Sequence, residues 1–185
     1  MELIEAIRSR RAVRSYRPDP VDEATLSKLI DAAVQAPSAV NRQPWSFCVI
    51  RNPPILTRIS NAAKAQLLAH PPEGAGVAGV AAMLRDPDFH LFYHAPALIL
   101  ISAVADDPWG RIDCALAAQN LMLAACDAGL GSCWVGFAEH WLAAKPGKAL
   151  LGLSDTEIPI APIIVGHPAE PAPPVPRLPA RIRWI

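Results

Sequence analysis

DCALAAQNLMLAACDAGLGSCWVG, residues 113–136, decides how this chain folds. With Ile112 ahead of it, the stretch sets Ala115, Leu116, Ala118, Leu121, Met122, Ala124 and Ala125 at positions that cover most of a helix's circumference, so a long helix is predicted over 109–128. A helix apolar nearly all round lies in the middle of something, either the centre of the domain or an interface. DAGLG (127–131) ends it with glycines, and SCWVGF (132–137) reads as a short strand. Moving outward, WSFCVI (45–50) is a strand by its aromatic and β-branched content, and ALILISAV (97–104) is a strand buried on both faces. IPIAPIIVGHP (158–168) is the last strand, where Pro159 and Pro162 call for an edge position or a bulge. Helices are expected at 2–9, from the Asp22 cap through Leu26, Leu29, Ile30, Ala33 and Val34 to a stop at Pro37, at 55–69 and at 139–150. The class is α+β: an antiparallel or mixed central sheet surrounded by helices.

The 185 residues suit a single domain over 1–185. With 52% hydrophobic and 18% charged residues and a mean hydropathy of +0.23, disorder is excluded and some apolar surface is expected to meet a second subunit. No apolar run approaches the ~20 residues of a membrane span. Glu2 and Glu5 interrupt the N-terminus, which does not read as a signal peptide, and a cytoplasmic location is expected. Cys48, Cys114, Cys126 and Cys133 form no C-x-x-C and read as reduced core thiols, with no metal set.

GAGVAG (74–79) spells G-x-G-x-x-G, but AHPPE precedes it where a dinucleotide fold needs a strand, and an apolar Ile99 stands about twenty residues on where an acid is needed. The dinucleotide reading is refused. Residues 70–94 are expected to be an ordered excursion or a lid, and 168–185 an extended proline-rich tail.

Seventeen basic residues balance seventeen acidic ones, so the basic excess of a nucleic-acid binder is missing. Yet SRRAVRSYRPDP (9–20) concentrates arginines. On a helical stretch Arg10 and Arg14, four apart, would share a face, and their repulsion is relieved by an anion between them. On their own these residues also read as a solvated basic face. Three further stretches bear on the choice. APSAVNRQPW (36–45) offers Ser38, Asn41 and Gln43 in a loop bracketed by prolines. GLGSCWVGF (129–137) lets backbone approach a ligand closely. Arg177 sits in the stiff tail.

In order and spacing, SRRAVRSYRPDPV, AAVQAPSAVNRQPWSFCVI, DCALAAQNLMLAACDAGLGSCWVG and IVGHPAE…PRLP together resemble the nitroreductase family of FMN-dependent oxidoreductases, over nearly the whole chain. The resemblance implies an intertwined homodimer with two FMN molecules in the interface. It implies that Arg10, Arg11, Ala12 and Arg14 lie along the FMN phosphate and ribityl chain, with Arg177 closing on the phosphate. It implies that Pro37, Ser38, Ala39 and Asn41 of the second subunit line the ring. Cys133, Trp134, Val135 and Gly136 would flank the isoalloxazine, a backbone N–H near N5. Ala12 stands where the family commonly has a serine, and Val175 where some members have a lysine; each loses a donor to the cofactor. The implied reaction takes hydride from NADH or NADPH through flavin N5 to a small acceptor such as a nitroaromatic or quinone. The alternatives are a non-catalytic FMN- or anion-binding protein, or a family member with other flavin chemistry such as flavin fragmentation or dehalogenation. No catalytic acid is assigned; Trp134 reads equally as a ring neighbour and as core, and His70, His90, His94 and His140 read as solvated or structural.

Overall fold

The computed structural model describes residues 1–71 and 77–185, apart from the side chains of 77 and 78. Gly74 to Gly76 of GAGVAG therefore lie outside the described residues. Four strands form one antiparallel sheet in the order β1-β2-β4-β3: β1 (Trp45–Ile50), β2 (Ala97–Ala103), β3 (Gly131–Trp134) and β4 (Ile158–Gly166). Around them are α1 (Leu3–Ser9), α2 (Glu23–Ala33), α3 (Pro53–Ala69), α4 (Val77–Arg85), α5 (Pro108–Asp127), α6 (Glu139–Ala143) and α7 (Lys145–Leu151).

The two central strands explain the layering. Along β2, Ala97, Ile99, Ile101 and Ala103 project to one face and Leu98 and Leu100 to the other, and all are buried. On the first face they meet Leu26 and Leu29 of α2 and Cys114, Ala118 and Leu121 of α5. On the second they meet Ile59 of α3, Leu142 of α6 and Phe92. The sheet is thus sandwiched between helices. Each fully buried aliphatic side chain in it contributes about 1.5–3 kcal/mol.

Local chemistry sets the helix ends. Asp22 accepts the Thr25 amide at the start of α2, and Asn52 accepts the Ile55 amide at the start of α3, whose Pro53 and Pro54 spend no needed donor. α2 ends at Ala33, before the predicted stop at Pro37. The single helix expected over 139–150 is two. Ala144 is extended (ψ 156) between α6 and α7, because Pro146 has no N–H for a continuing helix and its ring would crowd the Leu142 carbonyl.

β4 is not an edge strand: it lies between β2 and β3, and the alternative of a bulge is what occurs. The register slips between Ile101 and Ser102, passing over Ile160. Pro162 turns its carbonyl to the β3 side, where the Val135 amide donates to it at 2.8 Å. Its missing N–H falls on that same side, beyond Trp134, where β3 has ended. α5 packs Ala117, Ala118, Leu121 and Ala125 on the sheet, and leaves Trp109, Ile112 and Leu116 as an apolar stripe 59%, 52% and 41% exposed.

The arginine stretch is not helical. α1 stops at Ser9, and the chain then runs extended beside the end of the sheet. Ala12 pairs with Ser132, the Val13 amide donates to Ser132 O at 3.0 Å, and the Arg17 amide donates to His167 O at 2.9 Å. Gly131 makes the approach possible: a Cβ there would lie 2.8 Å from Val13 Cβ. G131A is expected to cost about 1–3 kcal/mol in urea unfolding. Because the clash is with one side chain, G131A/V13A should cost less than the sum of the single variants; simple additivity would show that the contact is not the cause.

Candidate functional site

Besides a hollow of about 250 Å³ that Arg10 lines with Ser9, Ser132 and Glu170, two others border the extended stretch. One, of about 300 Å³, is lined by Arg14, Tyr93 and the run Cys133, Trp134, Val135, Gly136 and Phe137. The other, an open cleft of about 570 Å³, lies between Arg11 to Ser15 and the start of the tail, Glu170 to Pro173 with Val175. Val13 is buried, whereas Ala12 and Arg14 are exposed. Arg10 and Arg14 both lie near enough to Cys133 for their charges to favour its thiolate, although burial outweighs them and pushes the thiol up. Among the described residues neither arginine is paired with a carboxylate. Arg11 is engaged differently: its guanidinium donates to Arg8 O at 2.6 Å and Arg10 O at 2.9 Å. A Cβ on Gly136 would meet nothing within 4 Å, so the backbone there is open to a ligand.

The sequence-predicted residues thus divide. One chain brings Arg14 to the same hollow as Cys133, Trp134, Val135 and Gly136, sets Arg11 and Ala12 in the tail cleft beside it, and leaves Arg10 within charge range of Cys133 but lining a separate hollow. It does not bring Pro37, Ser38, Ala39 and Asn41 to any of these hollows, nor Arg177, which is exposed in the tail. Trp134 is both things the sequence allowed: it lines the cavity and packs half-buried on the α2/α5 side of the core.

The 37–44 loop is nonetheless a built object. Val40 (φ 47), Asn41 (φ 57) and Gln43 (φ 49) all occupy the left-handed region, at a cost of about 1–2 kcal/mol each. Its geometry is held from inside. Ser38 Oγ accepts the Gln43 amide at 2.9 Å, and the buried Asp113 carboxylate accepts the Ala39 amide at 3.2 and 3.3 Å. Strain of this kind survives only where the surroundings over-determine it, and it gathers at functional sites. Asp113 was invisible as a loop anchor in the sequence, since it stands 74 residues from its partner.

Tyr93 and Phe137 are the cavity residues that sequence reasoning missed. Phe137 had a signal, since it closes the quoted glycine-rich stretch. Tyr93 had none: it lies in the least regular part of the sequence, and reaches the cavity through two consecutive left-handed residues, Tyr93 (φ 51) and His94 (φ 54).

The nitroreductase family model matches residues 7–167. The chain belongs to the nitroreductase family. A Methanothermobacter thermautotrophicus protein provisionally named NADH dehydrogenase/NAD(P)H nitroreductase is 33% identical over 175 residues, 92% of this chain and 79% of the relative. A 4-nitrobenzoate reductase of Pseudomonas putida is 28% identical over 201 residues, 90% of this chain and 85% of the relative. In fold, the FMN-bound nitroreductase of Bacteroides fragilis superposes with a TM-score of 0.83 at 24% identity, covering 100% of this chain and 99% of that one.

Three residues before Tyr93, in this nitroreductase-family chain, the half-buried His90 stands with exposed His94 and buried Lys64. Desolvation, then the neighbouring His94 and Lys64, hold the His90 imidazole at a pKa of about 4, down from 6.5. The neutral ring accepts the Phe92 amide at Nδ1, 3.1 Å, and its centroid lies 4.5 Å from that of His94. Burial also pushes the Tyr16 phenol up, and the Cys114 thiol up to about 12. Between pH 6.5 and 4 the unfolded chain binds the His90 proton that the folded chain refuses. Stability should therefore be full above pH 6.5 and fall as the pH drops towards 4, and H90N should flatten that stretch of the urea-unfolding profile. An equal slope in H90N would assign the dependence to another group.

Proposed function

We propose that this chain is an FMN-dependent oxidoreductase that works as a homodimer. It takes reducing equivalents from NADH or NADPH and passes them to a small acceptor of the nitroaromatic or quinone kind. The observation that carries the reading is carboxylate-free Arg14 in a cavity walled by Tyr93, Trp134 and Phe137, with Arg10, equally free of carboxylates among the described residues, within charge range of its Cys133. This combination of cations and flat apolar walls is the donor set that a mononucleotide with an aromatic ring needs. The open backbone at Gly136 fits the same ligand. Glu170 lines both the open cleft and the hollow beside Arg10 and opposes an anion there, which favours the phosphate on the Arg14 side.

Bound FMN supplies the hydride chemistry at N5. The protein's residues bind and orient. Arg10, Arg11 and Arg14 hold the phosphate and ribityl chain, and the guanidinium of Arg14 favours negative charge on the ring edge. Cys133 to Gly136 offer backbone to the ring, and Tyr93 and Phe137 keep water from its surroundings. Pro37, Ser38, Ala39 and Asn41 complete the ring's walls from the second subunit, and Arg177 reaches the phosphate from the tail. The exposed stripe of Trp109, Ile112 and Leu116 on α5 supports the dimer, since it leaves apolar surface for a partner to cover.

Purified protein supplied with FMN should show flavin absorption that NADH or NADPH bleaches in the absence of air. Arg10→Ala, Arg14→Ala and Arg177→Ala should each weaken FMN binding by about 2–5 kcal/mol in equilibrium titration. Retention of FMN at wild-type affinity in all three would refute the phosphate assignment, and a flavin that stays oxidised with both nicotinamides would favour a non-catalytic binder.

A further inference from the structure

Residues 86–94 carry Tyr93 into the cavity, and most of this stretch lacks the backbone pairing that secures a strand or helix. Leu91 and Phe92 sink its middle into the core, and a lysine ties down the part before them. Lys64, on α3, is only 8% exposed, and its ammonium donates to Asp86 O at 2.8 Å and Phe89 O at 2.6 Å. It also stands 5.6 Å from the centroid of the Phe89 ring. Among the described residues no carboxylate pairs with it. One turn earlier on α3, Ser60 Oγ accepts the Leu91 amide at 2.8 Å. Lysine is rarely buried, because removing an ammonium from water is costly unless its donors are satisfied. A methionine would fill the same space without that cost, so simple packing does not account for the residue.

The contacts continue to the cavity. The Phe89 ring meets Tyr93 edge to face, 5.6 Å between centroids at 79°, and Tyr93 stands in the cavity wall with Arg14 and Cys133. We propose that Lys64 is a positioning residue for the cavity: by pinning the Asp86 and Phe89 carbonyls it fixes the Phe89 ring, and through it the Tyr93 ring, against the flavin. The inference rests on the FMN reading above. It adds a clamp more than twenty residues from the residue it positions, on a different element from any group assigned to the cofactor.

The test is FMN titration of full-length, flavin-stripped protein followed by flavin fluorescence. K64M and Y93A should each weaken FMN binding about tenfold with unchanged far-UV circular dichroism, and K64M/Y93A should bind no worse than Y93A alone, since both act through one ring. Wild-type affinity in K64M, or losses that multiply in the double variant, would overturn the proposal. If K64M does not fold, F89L decides: it keeps both carbonyl acceptors and removes only the ring that bridges Lys64 to Tyr93, so it must weaken FMN binding as Y93A does, and an unchanged affinity overturns the clamp. If wild-type protein takes up no FMN, the flavin reading fails by itself. The clamp is then judged by amide hydrogen exchange: residues 86–94 must exchange about tenfold faster in K64M than in wild type while α2 and the sheet stay unchanged, and equal exchange overturns it.

Discussion

An extended, arginine-bearing segment is laid against the end of a sheet, and the rest of the site depends on that docking. The segment carries Arg10, Arg11 and Arg14, which repel one another. Three backbone bonds hold it: Val13 N to Ser132 O, Arg17 N to His167 O, and Ala169 N to Ser15 O. Each is worth about 0.5–1.5 kcal/mol net, and burial of Val13 adds about 1.5–3 kcal/mol. Repulsion between water-exposed guanidinium groups is about 1 kcal/mol per pair at contact distance and less beyond it. Docking therefore wins, and the arginines are carried as a fixed charge rather than a mobile one. The closest part of the contact exists because Gly131 has no side chain to meet Val13.

A fixed charge needs a rigid platform, and the doubly covered sheet provides one. β2 and β4 are buried along nearly their whole length, with one core cluster beneath α2 and α5 and another beneath α3 and α6. β3 is the strand from which the site grows. It pairs with β4 on one side, receives Ala12 and Val13 on the other, and its continuation through Val135, Gly136 and Phe137 walls the cavity. Among the described residues, non-glycine strain falls in two segments, 40–43 and 93–94, each next to backbone that side chains of a neighbouring helix bond. Asp113 of α5 anchors the first, and Lys64 and Ser60 of α3 anchor the second. Two helices thus position backbone conformations that local propensity alone would not choose.

Much of this was legible in the chain. Aromatic and β-branched content and apolar runs located the four strands, most plainly β2, where burial on both faces calls for an apolar run. The Asp22 cap marked the start of α2 and the glycines of DAGLG the end of α5. Errors fell where two rules competed. The prolines of β4 fit an edge strand or a bulge equally well; a bulge at Ile160, next to Pro159, is what forms, and Pro162 is tolerated inside the sheet because β3 ends before it needs that N–H. Arg10 and Arg14 were read on a helical face. The helix gives out at Ser9, and Arg14 reaches the cavity from extended chain while Arg10 lies nearer the helix end.

The sequence by itself determined the α+β class, the four strands, the long apolar helix and the two motifs that meet at the cavity, since each is a matter of local pattern and side-chain type. Only the tertiary structure decided that Ala12 lies beside Ser132, that Asp113 holds Ala39, and that Lys64 holds the segment bearing Tyr93. Those contacts join residues tens of positions apart, or more than a hundred. Their energies depend on burial and distance, which no local window of residues records.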